Sequence, residues 1–149
     1  MTANTPPTLE LNLQDAFYCD SPQKGELDSV IPSHTWESWF QTWLTALETN
    51  LPSAVSYEIT LRLTGDSEIQ SLNAEYRHQD QTTDVLSFAA LEVESPTPSP
   101  WLSSEPLYLG DIVISVETAA RQAIEQHQTL TGELAWLACH GLLHLLGWD

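Results

Sequence analysis

Two histidines near the carboxyl end of the chain have the spacing of a metal-binding pair. His140 and His144 lie four residues apart in the apolar segment HGLLHLLGWD, which predicts a helix. Four residues rise about 6 Å along a helix, just over one turn, so both imidazoles leave the same face and can bind one ion. Such HxxxH pairs are typical of zinc sites. We expect Gly147 to end the helix in a left-handed conformation and to turn the chain back towards the metal.

The same pair could instead be two neutral histidines packed in a core. Burying both rings would cost free energy unless each found a partner, and a shared metal would provide one. A metalloprotease carries a glutamate general base directly after the first histidine, where this chain has Gly141. Glu133, two turns before His140, is expected to be a solvated residue of the first helical turn rather than part of a metal site.

A second group of polar residues surrounds Arg77, one of only four basic side chains. In LNAEYRHQDQTTDVLSFAA, residues 72–90, a short helix runs into a polar loop and then a buried strand. From the residues alone, Arg77 is explained by its favourable position at a helix C-terminus or by an ion pair with Asp80 or Asp84. On the residues alone, these structural explanations are favoured over a catalytic role for Arg77.

The hydrophobic periodicity predicts an α+β fold, in which a mixed, roughly four-stranded sheet packs with helices and the HxxxH pair lies on the last helix. A helix after residue 65 is expected to have Asp66 as its N-cap. Residues 92–106 are Pro/Ser-rich and are predicted to form a flexible loop. The predicted strands cover residues 9–17, 55–64, 85–90 and 107–116, and the other predicted helices cover 33–50, 117–126 and 131–146.

Composition limits the class of protein. With 149 residues, 42% of them hydrophobic, residues 1–149 are expected to form a single domain. Two cysteines provide no disulfide framework, and neither a signal peptide nor a long apolar span is visible, so a cytoplasmic protein without a membrane partner is expected. The formal net charge of -17 would repel phosphate backbones, so charge alone argues against nucleic acid as a partner.

Three motifs, in their order along the chain, resemble the YbeY family of endoribonucleases: LNAEYRHQDQTTDVLSF, LGDIVIS and HGLLHLLGWD. The similarity covers about residues 55–149, with a weaker match of the N-terminal strand and helix. The resemblance implies a zinc-dependent endoribonuclease that is specific for single-stranded RNA. It also implies roles in rRNA processing, at the 3′ end of 16S rRNA, and in ribosome quality control. The implied partners are single-stranded RNA or rRNA and the ribosome or proteins of its small subunit, and not DNA.

The resemblance also implies roles for individual residues. His140 and His144 match the first two ligands of one catalytic zinc ion per chain, and Arg77 matches an arginine that lines the active-site cleft and is needed for activity. The family's motif continues as HGxLHLxGxDH, so its third ligand would come one residue after Asp149. We therefore expect this YbeY-like, metal-dependent hydrolase domain to be C-terminally incomplete, metal-poor and inactive unless Asp149 or the terminal carboxylate replaces that histidine.

Two other functions remain open at this point. One is a non-catalytic, ribosome-associated module that keeps the fold but has lost its metal chemistry. The other is a zinc metalloprotease or another zinc hydrolase, which is disfavoured because Gly141 stands where a protease has its base. No general base is evident in the sequence.

Overall fold

The computed structural model describes residues 7–17, 31–90 and 106–148. The elements have the predicted order, and most of their bounds agree with the prediction to within about two residues. The main difference is that the predicted helix 33–50 ends at Ala46 and is followed by a short 3-10 turn, Glu48–Asn50. Nearly all of the predicted loop at 92–106 lies outside the described residues. The elements are β1 (Thr8–Asp15), α1 (Ser33–Ala46), β2 (Ser56–Thr64), α2 (Asp66–Arg77), β3 (Val85–Ala89), β4 (Leu107–Ser115), α3 (Val116–Glu125) and α4 (Leu130–Leu145).

The four strands form one mixed sheet in the order β1-β2-β4-β3. Strands β1, β2 and β4 are parallel to their neighbours, while β3 runs antiparallel to β4 and lies at the edge. The predicted α+β class with a mixed, four-stranded sheet is therefore confirmed.

The main core lies on one face of the sheet. Alternate residues of β2 point into it, as the sequence pattern predicts, and Ile59 and Leu61 are fully buried. Helix α1 adds the buried rings of Trp36 and Phe40, which pack with the half-buried Trp39 and Trp43. Each such large apolar side chain contributes about 1.5–3 kcal/mol when it is fully buried. These contacts fix the sheet on which the last helix packs.

The opposite face of the sheet carries a smaller apolar cluster under α2. Its buried members are Ile69 of α2, Leu86 of β3 and Val113 of β4, and Leu72 and Phe88 pack against them. Because α4 packs against the other side of β3 and β4, the edge strand is held between two helices. The C-terminus of α2 and one face of α4 therefore meet at this edge.

Helix α4 approaches the sheet most closely at Gly141. A Cβ atom added there would lie 2.7 Å from Ile112 Cγ2 and 3.2 Å from Ser87 Oγ, so only glycine fits without a shift. The Ser87 hydroxyl donates to the carbonyl oxygen of Gly141 at 3.0 Å. The depth and rotation of α4 are thereby set at the residue directly after His140.

The N-terminus of α2 is tied to α3 by Asp66. The expectation that Asp66 is the N-cap is wrong, because the N-cap is Gly65 and the Asp66 side chain makes no cap hydrogen bond. Its carboxylate instead accepts from the Ser115 and Thr118 hydroxyls at 2.7 Å each, and lies 3.0 Å from Arg121 Nη2. Partners 49 and more residues away in sequence have taken the place of the local cap.

No helix among the residues that the structure describes is long and apolar enough to cross a membrane.

Replacing Gly141 with alanine is expected to lower the free energy of unfolding, measured by urea denaturation, by up to about 2 kcal/mol. Overpacking against Ile112 costs about 1–3 kcal/mol, which exceeds the roughly 1 kcal/mol that alanine gains over glycine in a helix. Gly132→Ala, in the same helix, is the control, because its added methyl would meet side-chain ends such as Thr129 Oγ1 at 3.1 Å. A Gly141→Ala protein as stable as the wild type would contradict the close packing.

The Asp66 contacts predict a loss of stability in acid. Burial raises the pKa of this carboxyl, but hydrogen bonds from Thr118, Ser115 and Arg121 outweigh burial and lower the pKa from its ordinary value of 3.8. The folded-state pKa thus lies below the unfolded one, so the stabilisation is present above the unfolded value and is lost as pH falls through the folded value. Asp66→Asn should reduce stability at neutral pH and flatten its dependence on pH between about 5 and about 2.

The measurement is a series of urea denaturations across that pH range. Glu37→Gln, which removes an exposed carboxylate of α1, is the matched control and should leave the acid dependence unchanged. The same acid dependence in Asp66→Asn as in the wild type would show that this anchor does not contribute.

Candidate active site

A cleft of about 700 Å³ lies between α4, the edge strand β3 and the connection from α2 to β3. It brings together the three residues that the sequence singled out, His140, His144 and Arg77. Polar residues of the connection and residues of β3 form much of the remaining wall. The lining also includes Asn73, Gln79, Gln81, Thr83, Asp84, Val85, Leu86, Ser87, Ala89, Trp136, Leu137, Gly147 and Trp148.

The two imidazoles converge at the floor of this cleft. Their Nε2 atoms are 3.0 Å apart, and the ring centroids are 4.5 Å apart. His140 is half-buried and His144 is exposed, so the alternative of two histidines buried in a core is wrong. The rotation of α4 explains the placement, because Leu142 and Leu145 take the core-facing positions of this turn.

The pair fits two ligand positions of a zinc ion. Zinc binds imidazole nitrogens at about 2.0–2.1 Å in tetrahedral sites, which places two ligand nitrogens about 3.3 Å apart. The observed separation of 3.0 Å is close to that value, and it also suits a hydrogen bond between one protonated and one unprotonated nitrogen. Residues 7–17, 31–90 and 106–148 contain no cluster of three His, Cys, Asp or Glu side chains suited to a metal. A third protein ligand is therefore not among them, and Asp149 lies outside the described residues.

The chain reverses directly after the histidine helix, as expected. Gly147 has a φ of +91°, the left-handed conformation that favours glycine. The amide of Trp148 then donates to the Leu143 carbonyl at 3.0 Å, which closes the end of α4. Gly147 and Trp148 both line the cleft, so the reversal keeps the chain beside the two histidines.

Arg77 reaches the cleft from the opposite helix. It is the last residue of α2, which ends because His78 adopts a left-handed φ of 59°. The guanidinium donates from Nη2 to the Ser87 carbonyl oxygen at 2.5 Å and lies 5.4 Å from the centroid of the Phe88 ring. Since a guanidinium has five N–H donors, these contacts orient it and leave donors for a ligand.

The ion pairs suggested by the sequence for Arg77 do not form. Asp80 accepts from Gln70 instead, at 3.0 Å. Asp84 lines the cleft, but its carboxylate accepts from the amide of Val85 at 2.7 Å and from Gln122 at 3.2 Å. Both carboxylates are thus engaged in local structure rather than in neutralising the arginine.

Arg77 also differs from the other arginines in lacking an acidic partner. Arg62 pairs with Glu68 at 2.6 Å, and Arg121 pairs with Asp66 at 3.0 Å. Within the described part of the chain, Arg77 is the arginine without a carboxylate within ion-pair distance. Its charge is therefore available to an anion that enters the cleft.

Glu133 takes no part in this site. The expectation that it is solvated is wrong, because only 4% of the residue is exposed. Its carboxylate accepts from the side chain of Gln128 near the N-terminus of α4. Glu133 does not line the cleft, so it is a structural residue of the helix start.

The position after His140 also excludes a protease-type base. A Cβ atom at Gly141 would point towards Ile112 and Ser87 in the sheet, at 2.7 and 3.2 Å, rather than into open space. A glutamate side chain has no room between α4 and β4. The metalloprotease alternative therefore lacks both the residue and the space for it.

Sequence reasoning missed the aromatic residues of the cleft. Trp136 is 57% exposed, and its ring centroid lies 5.0 Å from that of His140 with a tilt of 34°. Trp148 is 45% exposed on the same cleft. The spacing contained a signal for the first of these, because Trp136 precedes His140 by four residues, the same step that separates His140 from His144.

A second cavity, of about 410 Å³, continues from the first. The two share Ala89, His144 and Gly147, so they meet beside the histidine pair. Apolar residues form much of the second cavity, among them Leu51 and Pro52. His144 therefore borders both cavities, whereas His140 lines only the first.

Comparisons with known proteins agree with the three sequence motifs. The family model described as Endoribonuclease YbeY matches residues 23–149. A protein named Endoribonuclease YbeY from Trichormus variabilis is 57% identical over 145 residues, which cover 95% of this chain and 82% of the relative. A relative of the same name from Synechocystis sp. is 48% identical over 141 residues, covering 95% of this chain and 78% of the relative.

A solved structure supports the fold. The solution structure of TM1509 from Thermotoga maritima matches with a TM-score of 0.50 and 21% identity, over 94% of this chain and 74% of that one. Likeness at this identity concerns the fold alone. The family model, in contrast, matches most of the chain, and the two relatives are 57% and 48% identical to it. This chain therefore belongs to the YbeY family of endoribonucleases.

Proposed function

We propose that this protein is a zinc-dependent endoribonuclease that hydrolyses phosphodiester bonds of single-stranded RNA. The observation that carries the proposal is one cleft that joins the converging rings of His140 and His144 to the guanidinium of Arg77. The names of the relatives support RNA as the substrate class. By extension from the family, the proposed setting is the cytoplasm, in rRNA processing at the 3′ end of 16S rRNA and in ribosome quality control.

His140 and His144 are the residues that would hold the zinc ion. When bound, such an ion lowers the pKa of a coordinated water towards neutrality and stabilises negative charge on a phosphoryl oxygen. The two rings need little rearrangement to serve as ligands, because their Nε2 atoms already face each other at 3.0 Å. The Trp136 ring lies beside the His140 ring, with centroids 5.0 Å apart.

Arg77 is proposed to bind the phosphate whose bond is cut. A guanidinium presents a planar fork of donors that matches two phosphate oxygens, and its charge stabilises the extra negative charge of the transition state. The hydrogen bond to the Ser87 carbonyl and the contact with the Phe88 ring hold the group in place before substrate arrives. No carboxylate of the described residues pairs with Arg77, so a phosphate would displace none of their ion pairs.

The acidic surface explains why such an enzyme would not bind RNA indiscriminately. With a net charge of -17, most of the protein repels a phosphate backbone, whereas Arg77 and a bound cation make one local positive site. Binding of free RNA is therefore expected to be weak and sensitive to salt. Delivery by a partner such as the ribosome or a protein of its small subunit would supply the remaining affinity.

A non-catalytic, ribosome-associated module is the second candidate, and one observation favours it. The described residues supply two metal ligands, whereas catalytic zinc sites have three protein ligands. Metal binding and metal-dependent cleavage separate the two candidates.

Zinc is expected to bind at one ion per chain, and His144→Ala should reduce binding below detection by isothermal titration calorimetry. A single imidazole cannot form a chelate, so the affinity of the remaining site falls steeply. His34→Ala, an exposed histidine on α1, is the control and should bind zinc like the wild type. The resemblance puts a third ligand directly after Asp149, so one histidine added there should tighten binding. Equal zinc affinity of His144→Ala and wild type would overturn the assignment.

Arg77→Lys and Arg77→Ala are both expected to lower kcat for cleavage of a labelled single-stranded RNA by about 100- to 1000-fold. Lysine keeps the charge but cannot reproduce the two-pronged contact with phosphate. The measurement is zinc-supplemented cleavage by the chain with the added histidine. Arg62→Gln, which removes an arginine paired with Glu68 outside the cleft, should cut at the wild-type rate. Full activity of Arg77→Ala, or cleavage of duplex RNA at the single-strand rate, would contradict the proposal.

A further inference from the structure

The side chain of Trp136 is exposed on α4, beside residues that are buried in the core. It lies on α4, whose neighbouring residues Leu134 and Leu137 are buried, yet 57% of Trp136 remains accessible. Single exposed apolar side chains are common, but an apolar patch in a cleft is typical of a ligand site, and Trp136 and Trp148 both line this one. The exposed ring lines the same cleft as the histidine pair and Arg77.

On one side, the Trp136 ring contacts the ring of His140. Its centroid lies 5.0 Å from that of His140, and the two ring planes are tilted by 34°. The His140 ring is followed by that of His144, with centroids 4.5 Å apart. The three residues therefore follow one another along one face of α4, with backbone positions about 6 Å apart along the helix axis and neighbouring rings in contact.

We propose that Trp136 is a stacking site for a nucleobase of the RNA, next to the phosphate bound at the histidines and Arg77. This inference rests on the proposed function and adds a binding site to it. An indole offers a flat π surface to any base, and the row of rings puts this surface one helical turn from the metal-binding pair. The neighbouring nucleotide can thus stack while its phosphate reaches Arg77.

The site also gives a physical reason for preferring single-stranded RNA. A base in a duplex already stacks between its neighbours and is paired, so it cannot lie flat on a protein ring without leaving the helix. An acidic protein gains little from the backbone, so stacking is the contact that distinguishes RNA from other polyphosphates in this cleft. Trp136 is the better platform than Trp148, because it lies within α4 and already contacts the His140 ring, whereas Trp148 follows the chain reversal.

The test compares two probes of equal length, a short oligoadenylate and an abasic ribose-phosphate oligomer, bound to the full chain in the presence of a chelator. Binding is measured by fluorescence anisotropy of a labelled probe. The wild type should bind oligoadenylate roughly 5- to 150-fold more tightly than the abasic oligomer. Trp136→Ala should lose most of this preference while binding the abasic oligomer like the wild type, and Trp136→Phe should keep much of it.

Two controls separate stacking from a structural effect. Ile124→Ala, which removes an exposed apolar side chain of α3 outside the cleft, should retain the full preference for bases. Zinc affinity and thermal stability of Trp136→Ala should match the wild type, showing that the His140 ring has kept its place. An equal loss of affinity for both probes in Trp136→Ala would show a positioning role instead and overturn the stacking site.

Other outcomes distinguish this inference from the proposed function. If the wild type binds oligoadenylate and Trp136→Ala binds it equally well, the stacking site is wrong while the endoribonuclease proposal stands. If the wild type binds neither probe even at low salt, the stacking site is overturned, while zinc binding and zinc-supplemented cleavage decide the endoribonuclease proposal separately.

Discussion

The close packing of α4 against the edge of the sheet determines where the other residues of the site lie. The helix backbone can lie against β4 only because residue 141 has no side chain, and the Ser87 hydroxyl then bonds the carbonyl of Gly141 at 3.0 Å. With this depth fixed, the leucines of α4 fill the core and the other face must carry His140 and His144 into the cleft. A helix held further out, or rotated by one residue, would point the two imidazoles elsewhere.

Ser87 connects the two halves of the site. Its side chain bonds the histidine helix, and its carbonyl oxygen accepts from Arg77 at 2.5 Å. Because β3 is the edge strand, this carbonyl faces away from the sheet, and α2 on the opposite face can reach around it. One residue of a short strand therefore sets the histidine pair and the arginine relative to each other. The anchoring of α2 to α3 through Asp66 completes this arrangement.

The electrostatics of the molecule concentrate function in one place. A chain with 21 acidic and 4 basic residues has little attraction for nucleic acid over most of its surface. Two of its arginines are neutralised by carboxylates, while Arg77 is left open towards the cleft. An acidic protein can therefore act as an endoribonuclease if it recognises RNA locally, through a cation site, one guanidinium and an aromatic surface for bases.

Features that depend on residues close together in the chain could be predicted from the sequence. Periodicity predicted the order of the elements and the α+β class, and spacing placed His140 and His144 on one face of the last helix with Gly147 at its end. Features that depend on distant elements follow from the packing of the fold and not from sequence spacing. This packing placed Arg77 in the cleft rather than on Asp80 or Asp84, joined Asp66 to α3, and buried Glu133. The physical reason is that a polar side chain takes the best partner within reach, and that partner is fixed by the packing of helices on the sheet rather than by separation along the chain.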